Sequence, residues 1–172
     1  ENVSIGDTIA APEGAEALPT IQIDEPTVKM TFGVNTSPFM GKEGTHSTSR
    51  ILHERLTNEL RTNVSLRVET TDAVDVFLVS GRGELHLSIL VETMRREGFE
   101  FQVSKPEPVT KVVDGKVHEP YEQLSISTRD EYIGALTEYL SGRLAQLVDM
   151  RYDDSGNVNL EYHIPTRGLI GF

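Results

Sequence analysis

From Thr27 the chain alternates apolar and polar residues, Val28, Met30, Phe32 and Val34 being separated by Lys29, Thr31, Gly33 and Asn35. A period of two predicts a half-buried strand. The turn formers of Ser37 to Thr45 follow, after which Ile51, Leu52, Leu56 and Leu60 recur at helical spacing behind a cap at Ser47 or Thr48. Val64, Leu66 and Val68 alternate again with Ser65, Arg67 and Glu69. Past the turn Thr71-Asp72-Ala73, the run Val74, Val76, Phe77, Leu78 and Val79 reads as a buried strand that ends at Ser80-Gly81-Arg82-Gly83. Leu87, Leu90, Val91 and Met94 then mark a second helix, Gly98 stands where a left-handed C-cap is wanted, and Glu100 to Val103 predicts another strand. Thr27 to Lys105 thus reads strand, helix, strand, strand, helix, strand. That is the split βαβ order of a ferredoxin-like sandwich, an antiparallel sheet with two helices on one face.

After the break at Pro106-Glu107-Pro108 the pattern begins again. Val109 to Val113 meets Lys116 and Val117 across Asp114-Gly115, a two-residue hairpin signal, and Leu124 and Ile126 continue as strand. A long helix is expected from Asp130, with Ile133, Leu136, Leu140, Leu144 and Leu147 along one stripe. Met150 and Tyr152 should pair, through the Asp153 to Asn157 turn, with a strand on which Val158, Leu160, Tyr162 and Ile164 face one way until Pro165. Arg167 to Ile170 reads as the first turn of another helix. The predicted fold is therefore α+β: two ferredoxin-like sandwiches with antiparallel sheets, one at 27–105 and a second, truncated one at 106–172. Residues 1–26, with Pro12, Pro19 and Pro26 among small and acidic residues, have linker composition, and the chain is expected to be a fragment truncated at both ends. An unpaired edge on the unfinished sheet would invite another strand, which leaves a homodimer open.

Composition narrows the chemistry. With 37% apolar and 25% charged residues, 172 residues can bury a core, and neither a membrane-length apolar run nor a secretory leader is visible. The absence of cysteine excludes disulfides and thiol chemistry and fits a reducing compartment. Sixteen Lys and Arg against 27 Asp and Glu give a net charge of -11, so any nucleic-acid contact must come from local patches.

The motifs that suggest nucleotide chemistry are incomplete. Gly81-x-Gly83 with His86 resembles the opening of a dinucleotide fingerprint, but the third glycine is missing and no parallel return strand with an acidic ribose ligand follows. Those glycines are expected to form a sharp turn that lets the helix lie close on its sheet. The N–H groups at that helix start, beside Arg82, leave room for a phosphate of a larger partner. Gly41-Lys42 is followed by Glu43 where a P-loop requires Ser or Thr. His46 and His53 lack zinc-ligand spacing and His86, His118 and His163 are solitary, so no metal site and no catalytic residue is expected.

Several long strings together carry a resemblance. TFGVNTSPFMGKEGTHSTSRILHERL, NVSLRVE, VSGRGELHLSILVETMRREGFEF, EPYE and IPTRGLIGF closely resemble the BipA/TypA family of translational GTPases, relatives of elongation factor G, from about Ala17 to Phe172. The resemblance implies that 27–105 corresponds to the third domain of elongation factor G and 106–172 to part of its fifth. Glu1 to Ala11 would end a preceding β-barrel, and a family-specific domain would lie beyond Phe172. It further implies a cytoplasmic, ribosome-associated GTPase whose GTP and Mg2+ belong to a domain outside these residues, so that this segment is non-catalytic and holds no cofactor of its own.

What remains is binding. Lys42, Arg50, Arg55, Arg61, Arg82 and Arg167 are the cations placed on loops or near helix starts, and they are the candidate contacts to ribosomal RNA. Such contacts sense charge within a Debye length of ~8 Å rather than the net sum. For each cation alone, ion pairing with neighbours such as Glu54, Glu59 and Glu84 is the simpler role. The loop Ser37, Pro38, Phe39, Gly41, Lys42, Glu43 and Gly44 is the candidate contact with the GTPase domain of the same protein, by analogy with related factors. The alternative is an RNA-independent protein-interaction or small-ligand regulatory domain, because ferredoxin-like sandwiches serve many such roles.

Overall fold

The structure is a computed structural model that describes residues 5–14, 16–19 and 23–172. Residues 1–4, 15 and 20–22, part of the expected barrel end and linker, lie outside the described residues, and the described residues before Val28 carry no helix or strand. The backbone divides into two units, Glu1–Lys105 and Pro106–Phe172.

In the first unit the elements are β1 (Val28–Val34), α1 (Ser49–Glu59), β2 (Arg67–Thr70), β3 (Val76–Gly81), α2 (Glu84–Arg96) and β4 (Phe101–Val103). The strands are hydrogen-bonded in the order β2-β3-β1-β4, every neighbouring pair antiparallel. This is the ferredoxin-like arrangement, with the first and third strands at the centre. Alternation on β1 turns Val28 and Phe32 toward the helices, and Phe32 lies directly opposite Phe77 of β3. Leu52 and Leu56 of α1 and Leu87, Leu90 and Met94 of α2 close over them. Each such side chain removed from water contributes ~1.5 to 3 kcal/mol.

One boundary differs from the pattern, and another keeps its expected place without the expected side-chain bond. Val74 is 86% exposed, because Asp75 takes a left-handed conformation (φ 64°) that breaks the run before β3. Thr48 is the N-cap of α1, yet its hydroxyl makes no capping bond. Gly98 follows the α2 C-cap with φ 87°, and the Phe99 amide closes on Met94 O at 3.1 Å, as the glycine foretold. At Gly81 a Cβ would come within 2.9 Å of His86 Nδ1 and Leu87 Cδ2, so the glycine admits α2 close to the sheet.

The second unit contains β5 (Glu107–Pro108), β6 (Lys111–Val113), β7 (Lys116–His118), β8 (Tyr121–Arg129), α3 (Ile133–Ser141), β9 (Gln146–Tyr152), β10 (Asn157–Pro165) and the single turn α4 (Thr166–Leu169). β6 and β7 form the expected hairpin, with Asp114 and Gly115 both at positive φ as a primed turn requires. The larger sheet runs β8-β10-β9, antiparallel throughout, repeating the first unit's rule that the third strand of β-α-β-β lies in the middle. Val158, Leu160, Tyr162 and Ile164 of β10 are buried with Leu140 of α3. Tyr162 keeps its hydroxyl satisfied at 3.1 Å from Thr137 Oγ1.

The long helix expected from Asp130 is shorter than its apolar stripe. α3 stops at Ser141, Leu144 is left-handed (φ 67°), and Leu147 sits in β9 opposite Tyr162. Strand pairing overrides helical spacing here, and Gly142 weakens the helix where it ends. Arg143 then holds the end of α4 and the chain after it, donating to the carbonyls of Gly168, Ile170 and Gly171.

Candidate interaction site

The loop between β1 and α1 is where the first unit's local chemistry concentrates. Short-range bonds shape it: Asn35 Oδ1 accepts the Ser37 amide at 3.0 Å, Ser37 O accepts the Met40 amide at 3.1 Å, and Phe39 O accepts the Lys42 amide at 3.3 Å. Gly41 is left-handed at φ 80°. The decisive group comes from elsewhere in the chain. The Glu100 carboxylate, on the residue just before β4, accepts from Gly41 N (2.8 Å) and Asn35 Nδ2 (2.7 Å) on one oxygen and from Glu43 N and Gly44 N (3.1 Å each) on the other. Backbone donors that converge in this way favour an anion. The Gly41 and Glu43 amides, followed by Asn35, accordingly hold the Glu100 carboxyl down at about 2.

The loop's far end is tied to the same place. Thr45 N and His46 N both donate to Gly98 O, Glu100 N donates to His46 O, and the His46 and Phe99 rings lie 4.9 Å apart. Gly44 has no room for a side chain, since a Cβ would lie 2.7 Å from Gly98 O and 2.9 Å from Glu100 N. The outcome is an ordered loop whose tip points outward. Phe39 is 66% and Met40 55% exposed, and Lys42 Nζ stands 5.0 Å from the centre of the Phe39 ring.

The candidate cations do not converge on one spot. Arg50, at the start of α1, is exposed and pairs with Glu54 at 2.8 Å. Arg61 is exposed beyond the end of α1, at the opposite end of that helix from Arg50. Arg55 is largely covered and acts as a clamp: Nε and Nη2 donate to Glu97 at 2.6 and 2.9 Å, and Nη1 donates to Glu59 at 2.8 Å. The Glu97 hydrogen bonds, ahead of those from Glu59, push the Arg55 guanidinium further up, and Arg55 in turn lowers Glu97. This pair ties α1 to the end of α2. Arg82 is exposed and meets Asp24 at 3.3 Å. Arg167, in the second unit, pairs with Glu119 at 3.0 Å and is about half exposed.

The glycine turn has its own occupant. His86 Nδ1 accepts the Arg82 amide at 3.2 Å, so in the neutral ring Nε2 carries the proton and donates to Asn63 Oδ1 at 3.1 Å. A side chain already takes the amide that a phosphate would need. Among the described residues no grouping of three or more His, Asp or Glu is suited to a metal. Sequence reasoning placed the loop but missed the residue that orders it. Glu100 looks like any polar strand residue, and its partners lie 56 to 65 positions away.

Residues 116–172 match the family described as elongation factor G C-terminus. Three relatives, each called large ribosomal subunit assembly factor BipA, match almost the whole chain. The one from Salmonella typhimurium is 52% identical over 170 residues, 99% of this chain. That from Bacillus subtilis is 49% identical over 172 residues, the full chain, and that from Haemophilus influenzae is 54% identical over 170. The chain spans 28% of the length of each of these curated relatives.

Proposed function

Because this chain belongs to the BipA family, matching such relatives at about half identity along its length, we propose that it is a non-catalytic ribosome-contacting and coupling segment of a translational GTPase. The observation that carries this reading is the end-to-end match to proteins named as assembly factors of the large ribosomal subunit. The match of the second unit to the elongation factor G C-terminus supports it. GTP and Mg2+ belong, in this reading, to a domain outside the present residues, and the work is done with the ribosome in the cytoplasm. Among the described residues no helix is long and apolar enough to cross a membrane.

The two units divide the task. In the first, the outward loop tip of Phe39, Met40 and Lys42 meets the GTPase domain of the same protein in the ribosome-bound state, so that ribosome affinity reads this contact, and its fixed shape suits it to pass on a nucleotide-dependent movement. Ribosomal RNA is met by cations that stand in solvent: Arg50, Arg61 and Arg82 in the first unit and Arg167 in the second. Arg55 supports the first set from behind by holding α1.

In the intact protein, Lys42→Glu with Arg50→Glu tests this. Cosedimentation with ribosomes, with and without GTP, should weaken at moderate salt, and ribosome-stimulated GTP turnover should fall. Binding of the unsubstituted protein should also drop as salt rises, because phosphate contacts release counterions. Binding, turnover and salt dependence that match the unsubstituted protein would overturn the assignment.

A further inference from the structure

We propose that Glu100 is the positioning residue of the 37–44 loop, a built-in anion that sets the loop's shape before any partner arrives and so determines how firmly the Phe39-Met40-Lys42 tip is read. The proposal rests on the reading of that tip as a contact surface.

Three features give Glu100 this role. Around the tip it accepts only from backbone amides, those of Gly41, Glu43 and Gly44, so the shape it imposes there does not depend on which side chains the tip carries. Through Asn35 Nδ2 it also grips the loop's first residues, whose own turn is closed by Asn35 Oδ1. Finally, Glu100 is anchored: the next residue, Phe101, stacks on the fully buried Phe32 at 5.5 Å, and β4 pairs with β1. The carboxylate therefore transmits the rigidity of the core to a segment with almost no apolar burial of its own. A loop left unordered would lose conformational freedom at each residue fixed on binding, which opposes association. With a few residues partly loosened, the tip's affinity should fall on the order of ten-fold although no contact residue has changed.

The experiment uses the intact protein and Glu100→Gln, which keeps the side chain's size but removes its charge and one acceptor. A tip variant, Phe39→Ala with Met40→Ala, is made alone and combined with Glu100→Gln. Asp153→Asn, which loosens an unrelated loop, is the control. Amide hydrogen exchange, melting and ribosome affinity are measured for each. Glu100→Gln should speed exchange at Gly41, Glu43 and Gly44 and weaken binding about ten-fold. The combined variant should bind no worse than the tip variant alone, because both act through one surface. Asp153→Asn should bind normally.

Unchanged exchange in Glu100→Gln overturns the proposal, as does faster exchange with normal affinity while the tip variant is weak. In that second case the contact surface itself stands. A tip variant with normal affinity removes the contact surface and the proposal with it. Additive losses in the combined variant would show Glu100 acting through general stability, which also overturns the positioning role. Should Glu100→Gln fold poorly, Glu100→Asp, which keeps the charge but draws the carboxylate one methylene back from the same amides, is judged by the same outcomes.

Discussion

Two carboxylates in this molecule hold a loop by its backbone amides, and they do so at opposite ranges. Asp153 works within five residues: its Oδ1 accepts Ser155 N and Asn157 N, both at 2.9 Å, and Ser155 Oγ at 2.6 Å, forming the tip of the β9–β10 hairpin. Glu100 does the same for Gly41, Glu43 and Gly44 from more than fifty residues away. Both carboxyls sit below their ordinary range, Asp153 through the Ser155 hydroxyl first and Glu100 through the Gly41 amide first. The local device needs only its own strands to exist. The distant one exists only once β1, β4 and the turn at Gly98 have met, so a loop's order can depend on a whole core while its exposed residues touch none of it.

The largest expected break in this contrast is steric. Gly44→Val would drive a side chain into the Gly98 carbonyl and the Glu100 amide and should cost ~2 to 3 kcal/mol, a fall of roughly 10 °C in melting for a unit of this size. Gly156→Val in the local loop meets nothing within 4 Å and carries only the strain of φ 82°, ~1 to 2 kcal/mol. Equal losses from the two, by thermal melting, would erase the distinction.

Ion pairs sharpen the same point. Arg55 and Glu97, 42 residues apart and partly covered, join two helices, so Arg55→Ala should cost ~1.5 to 3 kcal/mol by denaturant titration. Arg50 and Glu54 are one turn apart and exposed, and Arg50→Ala should cost under ~0.5 kcal/mol.

The smallest effect is read from pH. The Glu100 carboxyl is depressed from 4.5 to about 2, so its contribution is complete above 4.5 and is lost as pH falls through about 2. The difference in melting between the unsubstituted protein and Glu100→Gln should therefore be constant at neutral pH and shrink toward zero between pH 4.5 and about 2. A difference that persists at the acid end would mean that the charge is not what holds the loop.

Much of the architecture was legible because it is written in periods. The alternation of Val28 to Val34 and of Val158 to Ile164, the helical spacing of Leu87, Leu90 and Met94, and the Asp114-Gly115 and Gly98 signals each describe a neighbourhood of a few residues. The stripe running through Leu144 and Leu147 misled for the same reason: spacing cannot see that β10 requires 146–152 as a strand partner. The candidate cations were legible as residue types but not as partners, since only the folded chain brings Arg55 to Glu97 and leaves Arg61 in solvent.

By itself the sequence determined the α+β class, the two-fold β-α-β-β order and the position of the outward loop, because local torsional preference and the burial of one face act through neighbours along the chain. Only the tertiary structure decided that Glu100 fills the amide cradle of that loop and that Arg55 is a clamp. Electrostatic and hydrogen-bond partners are chosen by proximity in space, and 56 residues of chain separate Gly44 from the carboxylate that holds it.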